Sequence, residues 1–494
     1  MTRLVKFLIF QHWLIFLILV AAAILRFWRL ESLTTFGGDQ GYDFLIVKRI
    51  IVDGKFTLLG PKIGPYNQLG NLYLGPAYYY LLAPALLLSR LDPIGPAIMT
   101  VLFSLGTILV IYLICQRFVS KGVSILAAAF YAFNSFLIDQ DRAPSNPHLA
   151  PFFSAIVIFA FLQIIARDQR SRIWIFICGV SLGILFQLHY LGVSLTLAVI
   201  LVLFFRRYFW GIVQMMTAFI LALSPQILFE LRHNFFVTNL FLKQIASGGN
   251  IINLSLFADH INSSFTILFS PFLGSPPDLI AQILLFALII STILFAAKKW
   301  QVPLFLSLTI ITNIIAASLY FGPTHFHYFA AVYPSLVILV SLTVVWVWQK
   351  LKNPLLKATI AMIIAQIFAN SFLNFNLNRN EGYTMPKGWN LIGIKTTSKI
   401  IANDVTSQAN FNVASTLDGD TRAMPYRYLI EVYGKKPSGV EDYPSSTILY
   451  LVSRDDQEMI KRYTVWEVSS FMPFEVVEEW EIQNGIKLYK LTKV

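Results

Sequence analysis

Charged residues are scarce in this sequence, and their scarcity excludes a soluble globular protein. Only 13% of the 494 residues are charged, whereas 56% are hydrophobic and 15% are aromatic. The mean hydropathy is +0.65. A soluble protein of this length does not need so much apolar surface. The composition therefore predicts a chain that is embedded in a lipid bilayer.

Cysteine is also rare, with two residues in the whole chain. Cys115 and Cys178 both fall in apolar runs, so the sequence offers neither a disulfide framework nor a cysteine metal site. Internal repeats and low-complexity tracts are lacking, which argues against a solenoid. The formal net charge is +12, but the basic residues form short clusters between apolar runs. Such clusters are typical of cytoplasmic loops and not of a nucleic-acid site.

Apolar runs of about 20 residues recur along the chain, and each is long enough to cross the hydrocarbon core of a bilayer. The first is interpreted as a retained span because no small-residue cleavage site follows it. We predict about eleven transmembrane helices. They cover residues 7–25, 95–115, 122–138, 149–166, 173–188, 190–205, 210–229, 279–297, 302–320, 327–348 and 355–374.

Residues 72–88 are apolar too, but they contain Gly75, Pro76 and Pro84, which suits an interfacial or re-entrant helix. Charge decides between this interpretation and a twelfth span. If 72–88 does not span, every short basic loop lies on the cytoplasmic side, as the positive-inside rule requires. This topology places the N-terminus on the cytoplasmic side of the membrane and puts residues 26–94 and the C-terminal tail on the outer face.

The tail is charged throughout and alternates between helical and strand-like patterns, so it predicts a small soluble α/β domain. We divide the chain into a transmembrane domain, 1–378, and an extracytoplasmic domain, 379–494. The tail shows no catalytic motif, and residues 459–465 are ambiguous. The predicted elements are a helix over 390–403, strands over 411–415 and 448–452, and a hairpin of 474–482 with 486–491 around Asn484 and Gly485.

The first outer loop carries an acidic stretch, Gly37-Gly38-Asp39-Gln40-Gly41-Tyr42-Asp43. A carboxylate at the membrane edge is where an enzyme acting on a lipid-borne substrate would keep its general base. In the alternative interpretation, Asp39 only caps the amphipathic helix that follows over 42–52. Arg49 and Lys62 supply cations in the same loop, and its aromatic residues include Tyr66 and Tyr79.

The second outer loop, residues 139–148, contains Asp139, Asp141, Arg142 and His148. The planar fork of Arg142 suits a phosphate, and the two carboxylates could offset its charge or hold a divalent cation. In the alternative interpretation, the loop is a solvated turn with an Asp–Arg pair.

Two further outer positions carry histidine, His189 and His327. A histidine there is commonly just an interfacial residue. Zinc is not favoured because no HExxH or ligand-spaced cluster occurs. Residues 230–262 are predicted to form a long outer loop, which is a candidate lid or a plain connection.

The order of these motifs resembles the bacterial glycosyltransferase family 39 group. That group shares the GT-C fold with protein O-mannosyltransferases and lipid A aminoarabinose transferases. The resemblance covers residues 1–375 and is weak over the tail. The resemblance rests on motifs that follow the first apolar span in this order: Gly-Asp-Gln-Gly-Tyr-Asp, Leu-Leu-Gly-Pro, Gly-Pro-Ala-Tyr-Tyr-Tyr-Leu-Leu-Ala-Pro, Asp-Arg-Ala-Pro-Ser-Asn-Pro and Leu-His-Tyr.

The resemblance implies a polyprenyl-phosphate sugar donor and an acceptor glycan, lipid or protein met on the outer face of the membrane. Asp39 matches the catalytic aspartate of the family, and Arg142 matches the arginine that contacts the donor phosphate. Gln40 departs from the usual Asp-Glu pair, and Leu74 replaces a basic or histidine residue before Gly75-Pro76. The resemblance favours metal-free catalysis without a cofactor.

We therefore predict an inverting glycosyltransferase with Asp39 as its general base. Three further residues join Arg142 as candidate phosphate ligands, and five are candidate contacts for the sugar or acceptor. The phosphate ligands are His189, Lys62 and Arg49; the sugar or acceptor contacts are Asp43, Tyr66, Tyr79, Asp141 and His327. The tyrosines equally fit an interfacial aromatic belt.

Two functions compete with this one: a transporter or flippase for a lipid-linked saccharide, and a non-catalytic envelope assembly protein. A transporter is disfavoured because no inverted repeat is visible and the charges lie at one face instead of the midplane. An assembly protein would not need an acid beside a phosphate-binding arginine.

Overall fold

The structure is a computed structural model that describes residues 3–63, 72–166, 171–247, 254–273, 301–319, 324–406 and 409–494. Up to residue 374 the described residues are almost entirely helical. The helices are α1 (Arg3–Phe27), α2 (Leu30–Leu33), α3 (Gly38–Asp53), α4 (Ala77–Leu88), α5 (Ile94–Phe118), α6 (Lys121–Ala132), α7 (Ser135–Asp141), α8 (Ala150–Ile165), α9 (Ser171–Leu188), α10 (Val193–Phe205), α11 (Phe209–Ala222), α12 (Ser224–Arg232), α13 (Phe236–Ser247), α14 (Leu254–Leu273), α15 (Gln301–Ser318), α16 (Tyr333–Lys350) and α17 (Pro354–Asn374), with 3₁₀ turns at Asn146–Leu149, Tyr190–Gly192 and Phe326–Val332.

Among the described residues, five helical stretches are long and apolar enough to cross a membrane by themselves. They are Ile94–Phe118, Asn146–Ile165, Gln301–Ser318, Phe326–Lys350 and Pro354–Asn374. The predicted spans 7–25, 173–188 and 190–205 correspond to apolar helices with shorter described stretches. The predicted span 279–297 lies outside the described residues. The chain is thus a polytopic helical membrane protein, and the number eleven stays a prediction.

Two predicted spans, 122–138 and 210–229, are each broken into two helices. Helices α6 and α7 meet at 64°, and helices α11 and α12 meet at 66°. At the first break the Asn134 side chain accepts a hydrogen bond from the Leu137 amide, so it caps a new helix. At the second break Pro225 stands in the first turn of α12, where its missing N–H costs nothing. The apolar pattern predicts both segments but not their bends.

The described part of the segment 26–94 contains three helices and a short hairpin. Strands β1 (Lys62–Ile63) and β2 (Leu72–Tyr73) pair antiparallel, and α4 follows them. Helix α4 has 12 residues and contains Pro84, so it is shorter than the roughly 20 residues that a span requires. Other predicted spans also have short described helices, so the absence of a crossing at 72–88 stays a prediction.

The predicted long loop over 230–262 is wrong for its described part, which is mostly helical. The Glu230 carboxylate accepts hydrogen bonds from the amides of Val237 and Thr238 at 3.0 and 2.9 Å. A carboxylate at a helix start satisfies amides that lack a partner within the helix. It thereby ties the end of α12 to the start of α13 and replaces the expected open connection.

The C-terminal domain contains a four-stranded sheet, whose strands in spatial order are β3 (Phe411–Ser415), β4 (Ile448–Ser453), β6 (Ile486–Lys493) and β5 (Phe474–Gln483). Strands β3 and β4 are parallel, and β6 runs antiparallel to both β4 and β5. The predicted elements are confirmed within three residues, and the ambiguous stretch 459–465 holds the end of a short helix and a turn. The elements are α18 (Leu391–Asp404), β3 (Phe411–Ser415), α19 (Met424–Val432), β4 (Ile448–Ser453), α20 (Gln457–Ile460), α21 (Trp466–Ser469), β5 (Phe474–Gln483) and β6 (Ile486–Lys493), with a 3₁₀ turn at Tyr443–Ser445.

The C-terminal domain packs on the segment 26–94 and shares a hydrophobic core with it. The Tyr428 ring of α19 lies 6.0 Å from that of Phe36 and 5.6 Å from that of Phe44. Lys395 of α18 pairs with Glu31 at 2.6 Å and with Asp92 at 2.8 Å. The predicted boundary at 378/379 falls between α17 and α18 and stays a prediction.

Candidate active site

Asp39 occupies the first turn of α3, and the structure shows how that turn is built. The helix begins at Gly38 with Gly37 as its N-cap, and the Gln40 side chain accepts a 2.9 Å hydrogen bond from the Gly37 amide. The interpretation of Asp39 as the N-cap is therefore wrong. The Asp39 residue keeps exposed surface, and it lies next to amides whose partial positive charge favours an anion.

Asp43 lies one helical turn further along and is buried, with 7% of its surface exposed. It accepts a 2.8 Å hydrogen bond from the hydroxyl of Tyr79, which is itself buried. Burial raises the pKa of the Asp43 carboxyl to about 8, against the opposing effect of the Tyr79 hydrogen bond. The predicted contact of Asp43 and Tyr79 with sugar or acceptor stays a prediction.

The C-terminal domain brings charged residues to Asp39 that sequence reasoning missed. The loop between β3 and α19 contains Asp418, Asp420 and Arg422. Loss of hydration raises the pKa of Asp39, the negative charge of Asp420 raises it further, and the positive charge of Arg422 lowers it. The one available signal was three charges within the five residues Asp418-Gly419-Asp420-Thr421-Arg422, directly after a predicted strand.

The other predicted residues of the first loop differ in how close they lie to the first turn of α3. The Lys62 ammonium lies 5.0 Å from the centre of the Tyr42 ring, so Lys62 faces the first part of α3. Arg49 is exposed, ten residues after Asp39 and thus roughly 15 Å further along the helix. The structure does not bring Arg49 into the group around Asp39. Tyr66 lies outside the described residues.

Arg142 is buried, with 1% of its surface exposed, and its guanidinium already has partners. It donates hydrogen bonds to the carbonyls of Leu25 and Arg26 and lies 3.6 Å from Asp139. Burial lowers its pKa to about 10, so it keeps its charge at neutral pH. A phosphate could bind Arg142 if it replaced these carbonyl partners.

Asp141 belongs to an internal ion pair. It accepts hydrogen bonds from Arg26 at 2.9 Å and from the Ser104 hydroxyl at 2.5 Å, and it is 3% exposed. The structure thus gives Asp141 internal partners where the sequence predicts a sugar or acceptor contact. Asp139 instead accepts two hydrogen bonds from Arg379, at 2.9 and 2.7 Å.

The predicted histidines do come together. The His189 ring lies 5.5 Å from the His327 ring, and the His327 ring stacks on that of His325 at 5.4 Å. His189 and His327 are partly buried, and His325 is exposed. Burial lowers the pKa of His189 to about 4, so its imidazole is neutral at pH 7. Neutral imidazoles can still donate a hydrogen bond to an anion.

Contacts of neighbouring residues connect the first loop to the loop of Arg142 and to the turn of His189. The Thr34 hydroxyl, five residues before Asp39, donates a 2.7 Å hydrogen bond to the Arg142 carbonyl. The Ala77 amide donates to the Gln187 side chain at 3.2 Å, two residues before His189. A Cβ on Gly75 would lie 2.3 Å from that same side chain. The first loop therefore touches both the Arg142 loop and the His189 turn.

Metal ligands do not cluster in the described part of the chain. No group of three or more histidine, cysteine, aspartate or glutamate residues there is placed to hold a metal ion.

The arrangement of helices and C-terminal domain matches known structures. The structure of ArnT from Cupriavidus metallidurans bound to undecaprenyl phosphate aligns with a TM-score of 0.61 and 13% identity, covering 97% of this chain and 98% of that chain. The oligosaccharyltransferase AglB from Archaeoglobus fulgidus, in complex with an inhibitory peptide and a dolichol-phosphate, aligns with a TM-score of 0.50 and 13% identity. A second structure from that organism, an oligosaccharyltransferase tethered to an acceptor peptide, gives a TM-score of 0.52 and 14% identity. Both alignments cover 94% of this chain and 71% of the other.

These likenesses show that the chain has the GT-C fold along nearly its whole length. No family model matches the sequence, and no curated protein matches it. Membership of family 39, which the motifs predict, therefore stays a prediction.

Proposed function

We propose that the chain is a membrane glycosyltransferase that moves a sugar from a polyprenyl-phosphate donor to an acceptor hydroxyl on the outer face of a bacterial plasma membrane. The observation that carries this proposal is the position of Asp39, an exposed residue in the first turn of a juxtamembrane helix within a GT-C fold. Binding of undecaprenyl phosphate by ArnT and of dolichol-phosphate by AglB supports this class of donor.

The chemistry needs one base and a site for the leaving phosphate. Asp39 removes the proton from the acceptor hydroxyl as its oxygen attacks the anomeric carbon. The bond between that carbon and the phosphate oxygen breaks on the opposite face, so the configuration inverts. The raised pKa of Asp39 makes its carboxylate a stronger base than a fully hydrated one.

The leaving phosphate requires hydrogen-bond donors and positive charge. His189 is partly exposed at the outer end of α9, next to the first loop, so we assign it to the phosphate. Arg142 is the second assigned ligand. Its guanidinium would donate to phosphate oxygens in place of the two main-chain carbonyls that it now bonds. Lys62 is the further cation that faces the first part of α3.

The test is sugar transfer by purified protein in lipid nanodiscs, with a panel of labelled polyprenyl-phosphate sugars and a mixture of envelope acceptors. Asp39→Asn removes the base and is expected to reduce transfer about 100-fold or more. Asp53→Asn is the matched control: it makes the same change at an exposed position at the far end of the same helix. It should transfer at the wild-type rate.

Transfer that survives Asp39→Asn would overturn the assignment of the base. Movement of labelled donor across vesicles without transfer would favour the transporter instead.

A further inference from the structure

The loop between β3 and α19 has a fixed shape. The Ser415 amide donates to the Thr421 carbonyl at 3.1 Å, and the Thr416 amide donates to the Val452 carbonyl at 3.0 Å. The Asp420 carboxylate accepts from the Met424 amide at 3.0 Å and from the Arg422 side chain at 2.9 Å. The two charged side chains are thus held in a defined geometry by the loop itself.

This loop and α19 sit directly on the first turns of α3. A Cβ added to Gly38 would lie 2.6 Å from the Asp420 side chain, and one added to Gly41 would lie 2.4 Å from the Met424 backbone. Lys48 and Glu431 form a 2.9 Å ion pair further along the same two helices. Since contacts occur along the length of both helices, the position of Asp420 relative to Asp39 is fixed by packing.

We propose, on the basis of the function proposed above, that Asp420 and Arg422 are positioning residues through which the C-terminal domain sets the protonation of the Asp39 base. The negative charge of Asp420 favours the protonated carboxyl, and the positive charge of Arg422 favours the carboxylate. Asp39 is therefore a stronger base because the C-terminal domain, packed on α3, places Asp420 beside it. The active site is complete when the two domains are packed together.

Other charged and titratable groups also face this region. They are Asp43, Tyr42 and the first-turn amides of α3, Tyr79 of α4, Lys62 beyond the Tyr42 ring, and Asp418 in the same loop as Asp420. Neither substitution alters any of these groups chemically. A comparison of these two variants therefore isolates the contribution of the C-terminal domain.

The experiment compares Asp420→Asn and Arg422→Gln in the full-length protein. Asparagine keeps an oxygen that can accept from the Met424 amide. Arg422 is 40% exposed, so glutamine should not disturb packing. Arg422→Lys keeps the charge and should restore the wild-type behaviour. Glu458→Gln is the control for charge, because Glu458 lies on the same domain and is 76% exposed.

Two readouts are taken. The first is the pH dependence of kcat/KM for sugar transfer. The second is labelling of Asp39 by a carbodiimide, which reacts with protonated carboxyl groups and is located by peptide mass spectrometry. Labelling needs no donor or acceptor, so it tests the inference independently of the proposed function.

We expect the midpoint of Asp39 labelling to move to lower pH in Asp420→Asn and to higher pH in Arg422→Gln. The acid limb of the transfer profile should move in the same two directions. Unchanged midpoints in both variants, or shifts in the same direction, would overturn the inference. Transfer that persists in Asp39→Asn would instead overturn the assignment of Asp39 as the base, and absence of transfer in the wild type would overturn the proposed function, even if labelling shifts as expected. If Asp420→Asn fails to fold, Arg422→Gln and Arg422→Lys decide the outcome.

Discussion

Asp43 of α3 accepts a 2.8 Å hydrogen bond from the Tyr79 hydroxyl of α4, one helical turn beyond the exposed Asp39. Two carboxyl groups on one face of the same helix therefore have different environments. The buried one has a pKa of about 8, so it is mostly protonated at neutral pH. Such a division between two neighbouring acids is how a site gives them different tasks.

The first prediction concerns the stability of Asp43→Asn. In the folded protein Asp43 keeps its proton up to pH about 8, whereas the ordinary pKa of an aspartate side chain is 3.8. The folded state thus binds the extra proton between these values, and its contribution to stability is lost as pH rises through about 8. Asparagine has no such proton and can still accept from Tyr79. The melting temperature of Asp43→Asn relative to wild type should therefore increase from pH 5 to pH 9.

Thermal unfolding in detergent, followed by intrinsic fluorescence at several pH values, measures this difference. Asp53→Asn, at the exposed end of the same helix, should show the same melting temperature as wild type at each pH. A difference in melting temperature between Asp43→Asn and wild type that stays the same at every pH would contradict the raised pKa of Asp43.

The second prediction concerns the glycine at the domain contact. A Cβ on Gly41 would lie 2.4 Å from the Met424 backbone, and backbone atoms cannot move aside as a side chain can. Gly41→Ala should therefore loosen the C-terminal domain from α3 and lower sugar transfer. Hydrogen exchange should increase in α19. Gly122→Ala is the control, because its Cβ would meet its nearest neighbour at an ordinary 3.8 Å. Unaltered exchange in α19 after Gly41→Ala would show that the helices adapt.

The sequence predicts best what local chemistry determines. Asn484 and Gly485 place the hairpin of β5 and β6, and both adopt positive φ angles, of 51° and 73°, as that turn requires. Strand β3 spans the predicted residues because a short apolar run in a polar tail leaves few alternatives. The apolar spans can also be predicted, because the length and composition of a span are properties of the local sequence.

Contacts between distant residues could not be predicted in this way. Arg26 and Asp141 are separated by 115 residues, and nothing in either neighbourhood marks them as partners. Asp420 belongs to a domain without a catalytic motif, and its position beside Gly38 depends on how α19 packs on α3. The sequence marks the bends at Asn134 and Ser224 only by an N-cap asparagine and by Pro225, and the apolar pattern continues through both.

The third prediction concerns the ion pair of Arg26 and Asp141. Both side chains are buried, with their charged atoms 2.9 Å apart, and Arg26 also donates to the Ala132 carbonyl at 2.8 Å. Arg26→Met leaves a buried carboxylate without its cation, which should cost about 3–5 kcal/mol of unfolding free energy. The double variant Arg26→Met, Asp141→Leu should recover part of this loss. Thermal unfolding measures both, and equal stability of the single variant and wild type would contradict the pairing.

The last prediction separates the structural role of Arg142 from its proposed role as a phosphate ligand. Its guanidinium donates to two main-chain carbonyls and lies over the Phe375 ring at 5.3 Å, a geometry that lysine cannot reproduce. Arg142→Lys should therefore lower the melting temperature. If the guanidinium also binds the donor phosphate, Arg142→Lys should weaken binding of undecaprenyl phosphate roughly 10-fold to 100-fold, since hydrogen bonds to a charged group contribute about 1.5–3 kcal/mol.

Binding measured by native mass spectrometry counts only the folded protein, so the two effects are separated. Arg117→Lys is the matched control: Arg117 bonds the Gln163 side chain at 3.0 Å near the predicted cytoplasmic end of α5, and its replacement should leave donor affinity unchanged. We expect Arg142→Lys to bind more weakly even below its melting temperature. A variant with lower stability and unchanged affinity would assign Arg142 to the fold alone. His189 would then be the assigned ligand of the phosphate, and His189→Phe should weaken binding of undecaprenyl phosphate in the same assay.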